Sequence, residues 1–118
     1  MHVIYDNAYM QTNNDNIKRK VLATAGQLML VEVKFPKASE DDYGLHSHPH
    51  EQIAYVTRGS FDFQVEGREN VILGEGDSIY FEPNIMHGGR PLTDNATVLD
   101  IFTPIRDDFL HISKAVQQ

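Results

Sequence analysis

A chain of 118 residues has room for one domain with its own hydrophobic core and none for a second catalytic module. A formal net charge of -7, with no cluster of lysine, arginine and aromatic side chains, sets the surface field against phosphate backbones and excludes nucleic acid as an expected partner. The absence of cysteine removes disulfides and thiolate ligands, so any metal held here must take nitrogen and oxygen donors.

In chain order, the N-terminal MHVIYDNAYMQ lacks a basic segment followed by an apolar one, and no later run approaches the roughly 18 to 20 apolar residues that span a bilayer. A soluble, cytoplasmic protein without membrane contact is expected. In LMLVEVKF (28–35), Met29, Val31, Val33 and Phe35 fall on one side while Glu32 and Lys34 fall on the other, the period of a half-buried strand. HSHPHEQIAYVTRG (46–59) places His46, His48 and His50 at alternate positions and leads into the strand IAYVTR. SFDFQVEG repeats the alternation, with Phe61, Phe63 and Val65 set against Asp62, Gln64 and Glu66. NVIL, SIYFE and ATVLDIF follow, and Gly59, Gly67, Gly74 and Gly76 punctuate the runs as turns do. This rhythm predicts an all-β sandwich or barrel, with Phe61, Phe63, Phe81, Tyr55 and Tyr80 filling its interior or a dimer contact. From Arg106 to Val116, the spacing of Phe109, Leu110, Ile112 and Val116 suits a short helix and an irregular tail equally.

Side chains two apart on a strand face the same way. His46 and His48 therefore present two imidazoles to one point, and His87, about 40 residues on, lies a few strands away, a separation that a β fold can close. Continuing the same parity reaches Gln52, Ala54 and Val56, while Glu51, Ile53 and Tyr55 face the opposite side. Parity selects Gln52 over Glu51 as an oxygen donor, unless a bulge at Pro49 shifts the register by one. His50 shares the parity, but Pro49 intervenes and three other donors are already supplied, so it is expected beside the site or facing solvent.

His46-Ser47-His48, Gln52 and Gly59, with Gly76 and His87 eleven residues after it, resemble the two sequence motifs of the cupin superfamily. The resemblance implies one cupin domain over residues 1–118, a double-stranded β-helix or jelly-roll barrel, with motif 1 at about 44–59 and motif 2 at about 76–91. Gln52 stands where a glutamate ligand is usual. In motif 2, Glu82 replaces the usual proline, Asn84 the usual glycine and Pro91 an asparagine. Asparagine tolerates a left-handed backbone better than most residues, so Asn84 is expected to make the glycine's turn.

Over nearly the whole chain, NIKRKVL, LMLVEVKF, HSHPHEQIAYVTRG and DIFTPIRDDFL (100–110) are similar to the small single-domain cupins of the KdgF type, associated with pectin and alginate degradation. That resemblance implies conversion of 4,5-unsaturated monouronates to linear keto-deoxyuronates. It implies the metal ligands His46, His48, Gln52 and His87, with Asp100, Phe102 and Arg106 beside the metal. One divalent transition metal ion is expected, and the donors suit nickel, zinc, iron, cobalt and copper alike.

Three imidazoles and an amide oxygen are neutral, so the ion they hold keeps its double charge and attracts anions. Asp100 and Phe102 share one face of the last strand. The expected roles are proton transfer for Asp100, packing against the sugar or shaping of the pocket for Phe102, and pairing with the substrate carboxylate for Arg106. Taken without the resemblance, Asp100 reads equally as a turn cap, Phe102 as core, and Arg106 as an ion-pair partner of Asp107, Asp108 or Glu82. Another metal-dependent cupin enzyme, such as a dioxygenase or a sugar isomerase or epimerase, and a non-catalytic sugar-acid-binding cupin are the alternatives. Small sandwiches leave edge strands and apolar faces to cover, which predicts a homodimer.

Overall fold

The computed structural model describes residues 1–41 and 44–110. Their strands are β1 (Tyr9–Thr12), β2 (Lys18–Ala25), β3 (Leu28–Phe35), β4 (Glu51–Arg58), β5 (Phe61–Val65), β6 (Val71–Leu73), β7 (Ser78–Phe81), β8 (His87–Pro91) and β9 (Ala96–Thr103), with a final turn of helix, α1 (Asp107–Leu110). One sheet has the order β1-β2-β3-β9-β4-β7 and the other β6-β5-β8, and all pairs are antiparallel. No helix among the described residues is long and apolar enough to cross a membrane.

The alternation in the sequence sets which face each strand buries. Met29, Val31 and Val33 of β3, Ala54 and Val56 of β4, and Phe61, Phe63 and Val65 of β5 all enter one core, where loss of apolar surface from water drives the sheets together. Phe81 closes it from β7. Tyr55 and Tyr80, in contrast, do not fill the interior: they are 41% and 50% exposed on the outer face of the large sheet, as the parity of Ala54 and the Ile53–Tyr80 pairing require. Of the short helix and the irregular tail that suit residues 106–116 equally, the described part is a single turn of helix, α1, which buries Phe109 and Leu110. Ile112 and Val116 lie outside the described residues.

Three strands escaped the alternation pattern. A register shift between Val21 and Thr24 interrupts the period of β2, and β1 is only four residues long. The sequence of β8, HGGRP, reads as a turn, because glycine and proline are depleted in strands. It tolerates them as an edge strand.

The loop from β7 to β8 makes the turn expected of Asn84, which holds a φ of 64°. Its backbone N–H donates to the carbonyl of His48 at 2.8 Å, so this turn fastens the histidine segment to the rest of the fold. Replacing Asn84 with valine should cost about 1 to 2 kcal/mol, because a β-branched side chain fits the left-handed region poorly, whereas Asn84→Gly should be close to neutral. Urea titration of the two variants checks this, and equal stability would contradict it.

Candidate metal centre

His46 lies just before β4, in an isolated bridge with His87 at the start of β8. The two residues exchange backbone hydrogen bonds of 2.9 Å in each direction, which brings their ring centroids to 4.5 Å. The ring of His48 lies 4.9 Å from that of His87. One nitrogen from each of His46, His48 and His87 lies within 4.8 Å of the others. These three could hold a metal ion. His48 and His87 are buried, and His46 is the exposed member.

Hydrogen bonding fixes how the rings face. Nδ1 of His48 lies 3.0 Å from the carbonyl of His50, and Nδ1 of His87 lies 2.9 Å from that of Ile85. A carbonyl only accepts, so in both neutral rings Nδ1 carries the proton and Nε2 presents a lone pair. Gln52 Oε1 sits 3.0 Å from Nε2 of His48 and 3.3 Å from Nε2 of His87. Its other end, Nε2, donates to Asp100 Oδ1 at 3.0 Å, which settles the direction of the amide. Lone pairs of two imidazoles and one carboxamide thus converge with no proton between them, and a cation among them satisfies all three. The donor set fits a divalent ion of the nitrogen-preferring class.

Burial also holds the imidazoles neutral. It lowers the pKa of His46 and His48, the latter against an opposing hydrogen bond with Gln52. It lowers His87 to about 4. Metal binding requires the neutral ring, so at pH 7 no proton competes for these nitrogens.

As parity requires, Gln52 points inward and is buried, whereas Glu51 is exposed and accepts a hydrogen bond from the Tyr80 hydroxyl at 2.7 Å. The bend at Pro49 and His50 precedes β4 and leaves its register intact. His50 is outside the three-histidine cluster, with its ring 5.4 Å from that of His48 and its carbonyl orienting that ring.

Beside the cluster opens a cavity of about 360 Å³, within the range of small-molecule sites. Asp100, Phe102 and Arg106 line it together with His46, Gln52 and His87. Burial pushes the Asp100 carboxyl up to about 6, against the opposing hydrogen bond from Gln52. Phe102 is 2% exposed and meets the His48 ring edge-on at 5.8 Å. The fork of Arg106 is engaged: Nε and Nη2 donate to the two carboxylate oxygens of Asp108 at 3.0 and 2.8 Å. Glu82 pairs instead with Arg68.

One lining residue escaped the sequence reading. Arg19 of β2 also faces the cavity, and it shares the parity of the buried Val21. An arginine on the inner face of a strand was the available signal, hidden by flanking Lys18 and Lys20, which make the segment look like a solvated charge run.

The sequence profile of the cupin domain matches residues 20–102. The chain is 39% identical over 110 residues to the pectin degradation protein KdgF of Dickeya dadantii (strain 3937), covering 92% of this chain and 97% of that protein. The structure of KdgF from Halomonas sp. is similar at a TM-score of 0.83 and 36% identity, over 93% of this chain and all of the other. An RmlC-like cupin from Shewanella frigidimarina matches at a TM-score of 0.81 and 31% identity, over 92% of this chain and 94% of that one.

The Asp100 carboxyl has a measurable signature in metal-free protein. With a folded pKa near 6 against an ordinary value of 3.8, Asp100 contributes stability that is fully present below about 3.8 and lost as pH rises through about 6, because the folded state holds its proton more tightly. Asp100→Asn cannot titrate. The stability of wild type relative to this variant should therefore increase as pH falls from 7 to 4, measured by urea titration at each pH, and a difference independent of pH would refute the assignment.

Proposed function

The chain belongs to the cupin domain family and, within it, to the KdgF group, and from that membership we propose that it acts in pectin degradation by converting 4,5-unsaturated monouronates, from pectin or alginate lyase products, to linear keto-deoxyuronates. The observation that carries this reading is the Gln52 carboxamide, which ties a half-buried carboxyl poised near neutral pH to the three-histidine cluster at the wall of one cavity. Bound by His46, His48, Gln52 and His87, a divalent transition metal ion would supply Lewis-acid polarisation of a substrate oxygen with its double charge undiminished, since all four donors are neutral.

The reaction is an isomerisation. The C1 hydroxyl of the hemiacetal loses its proton as the bond from C1 to the ring oxygen breaks and that oxygen takes up a proton, leaving an aldehyde at C1 and an enol at C5. A proton placed on C4, with loss of the enol O–H proton, then gives the ketone, and no external oxidant or reductant takes part. Asp100 is the group in the cavity suited to moving that proton, because a carboxyl titrating near 6 both gives and takes protons close to neutrality. Phe102, packed against His48, shapes the wall that fixes the sugar. Arg106 offers a two-pronged donor to the substrate carboxylate in exchange for Asp108, whose side chain is 59% exposed against 16% for the arginine and so regains water on release.

A homodimer accompanies this reading. Ile53, Tyr80 and Ile101, neighbours by register, form an exposed apolar patch with Tyr55 on the outer face of the large sheet. Such a patch suits association with a second copy. Sedimentation should give a dimer for wild type and a monomer for Ile53→Asp, and a monomeric wild type would remove this part of the proposal.

The activity test follows loss of the conjugated double bond by absorbance after mixing the protein with a lyase-generated unsaturated monouronate. Turnover should disappear on chelation and return with a divalent metal. Asp100→Asn should keep its metal by elemental analysis yet fall by about 100-fold or more in rate, the usual worth of a positioned acid or base. Oxygen consumption, or binding without turnover, would instead favour a dioxygenase or a sugar-acid-binding cupin.

A further inference from the structure

The cavity carries a charged group that the uronate reading does not use. Among the described residues its charged lining residues are Arg19, Asp100 and Arg106, besides the histidines. Arg19 reaches it from β2, where it pairs in register with Gln11 and Val33. Its guanidinium carbon lies 4.0 Å from the centroid of the Phe109 ring, and that of Arg106 lies 4.2 Å from the same centroid. The two cations thus share one aromatic partner on one stretch of wall.

Their polar contacts differ. Arg106 gives Nε and Nη2 to Asp108 in a two-pronged ion pair. Arg19 makes one long contact, from Nη1 to Gln11 Oε1 at 3.5 Å, and its Nε is shut off from solvent with no hydrogen-bond partner among the described residues. A buried donor without a partner is costly and ordinarily marks something that supplies one. The electrostatics agree, since burial and the neighbouring Arg106 both disfavour the charge on Arg19, and the attraction of Asp100 and Asp108 does not offset them. The wall therefore carries an uncompensated positive charge behind a planar donor group, the match for a carboxylate.

We propose that Arg19 is a substrate-binding residue that pairs with the carboxylate of the sugar acid and makes the site selective for anionic over neutral sugars. This rests on the uronate reading for its ligand class, though not for its chemistry. Arg19 takes the carboxylate without first giving up an ion pair, since its polar contact is the long one to Gln11, and Arg106 joins only as Asp108 lets go. Phe109 packs against both guanidiniums, which lowers the entropy lost on engagement.

Binding separates this role from turnover. The probes are D-galacturonate, which has no double bond to ketonise, and its uncharged methyl ester, titrated by calorimetry into metal-loaded protein. Wild type should favour the acid. Arg19→Gln should lose about 10- to 100-fold in affinity for the acid, the worth of one charge-assisted hydrogen-bonded contact, while its affinity for the ester changes little. In kinetics with the unsaturated uronate, KM should rise by a similar factor with kcat nearly unchanged. Equal losses for acid and ester would show that Arg19 only supports the wall, and an unchanged preference for the acid would also overturn the proposal. Should Arg19→Gln not fold, Arg19→Lys decides: a weakened preference supports the fork geometry, and a preference equal to that of wild type refutes it. Preference for the acid that depends on Arg19, without turnover of the unsaturated uronate by wild type, would uphold Arg19 and sink the proposed reaction instead.

Discussion

An amide side chain held at both ends governs the centre of this molecule. Gln52 gives its N–H to Asp100 and turns its oxygen toward the lone pairs of His48 and His87, so neither the carboxyl nor the imidazoles can be arranged independently of it. That arrangement depends on strand register. Gln52 sits opposite Phe102, and Ala54 opposite Asp100, across the β4–β9 pair. A slip of one residue would exchange Gln52 for Glu51 and Asp100 for Ile101 on the inner face. The apolar alternation that buries Ala54, Val56, Val98 and Phe102 is thus also what aims the polar groups.

Much of this was legible because the same period of two encodes both core and site. Alternation identified β3, β4, β5 and β9, and the preference for Gln52 over Glu51 followed from parity alone. The Asn84 turn was legible too, since few residues accept a positive φ and asparagine is one of them. What alternation could not reach was structure made by departures from it. The lysines on either side of Arg19 concealed its inward position, and the glycines of β8 concealed a strand that begins at His87. One of them, Gly88, sits where an added Cβ would come within 2.8 Å of the Gly44 carbonyl. Close packing against the segment leading to His46 therefore chose a residue that sequence propensity reads as a turn.

Side chains that serve two purposes were the least legible. Phe102 is core by burial and cavity wall by position, and nothing in its identity separates the two. Arg106 likewise combines an ion pair with Asp108, as a surface arginine would, with a place on the cavity lining. Tyr55 and Tyr80 went outward because β4 and β7 present their other faces to the core, and aromatic identity does not by itself set that choice.

The neutral donor set also limits what else the interior can tolerate. A carboxylate at position 52 would lie within hydrogen-bonding distance of Asp100, and two buried acids so close cannot both ionise. One would keep a proton, and the site would lose either an unprotonated oxygen facing the histidines or a group able to accept that proton. The carboxamide avoids the conflict, because it donates to Asp100 while presenting oxygen to the histidines. Among the described residues Asp100 can then remain the single acidic group of the cavity wall, close enough to neutrality to exchange protons, and the positive charge of Arg19, Arg106 and any bound cation stays only partly balanced. A pocket in that condition binds most favourably a ligand that brings its own negative charge.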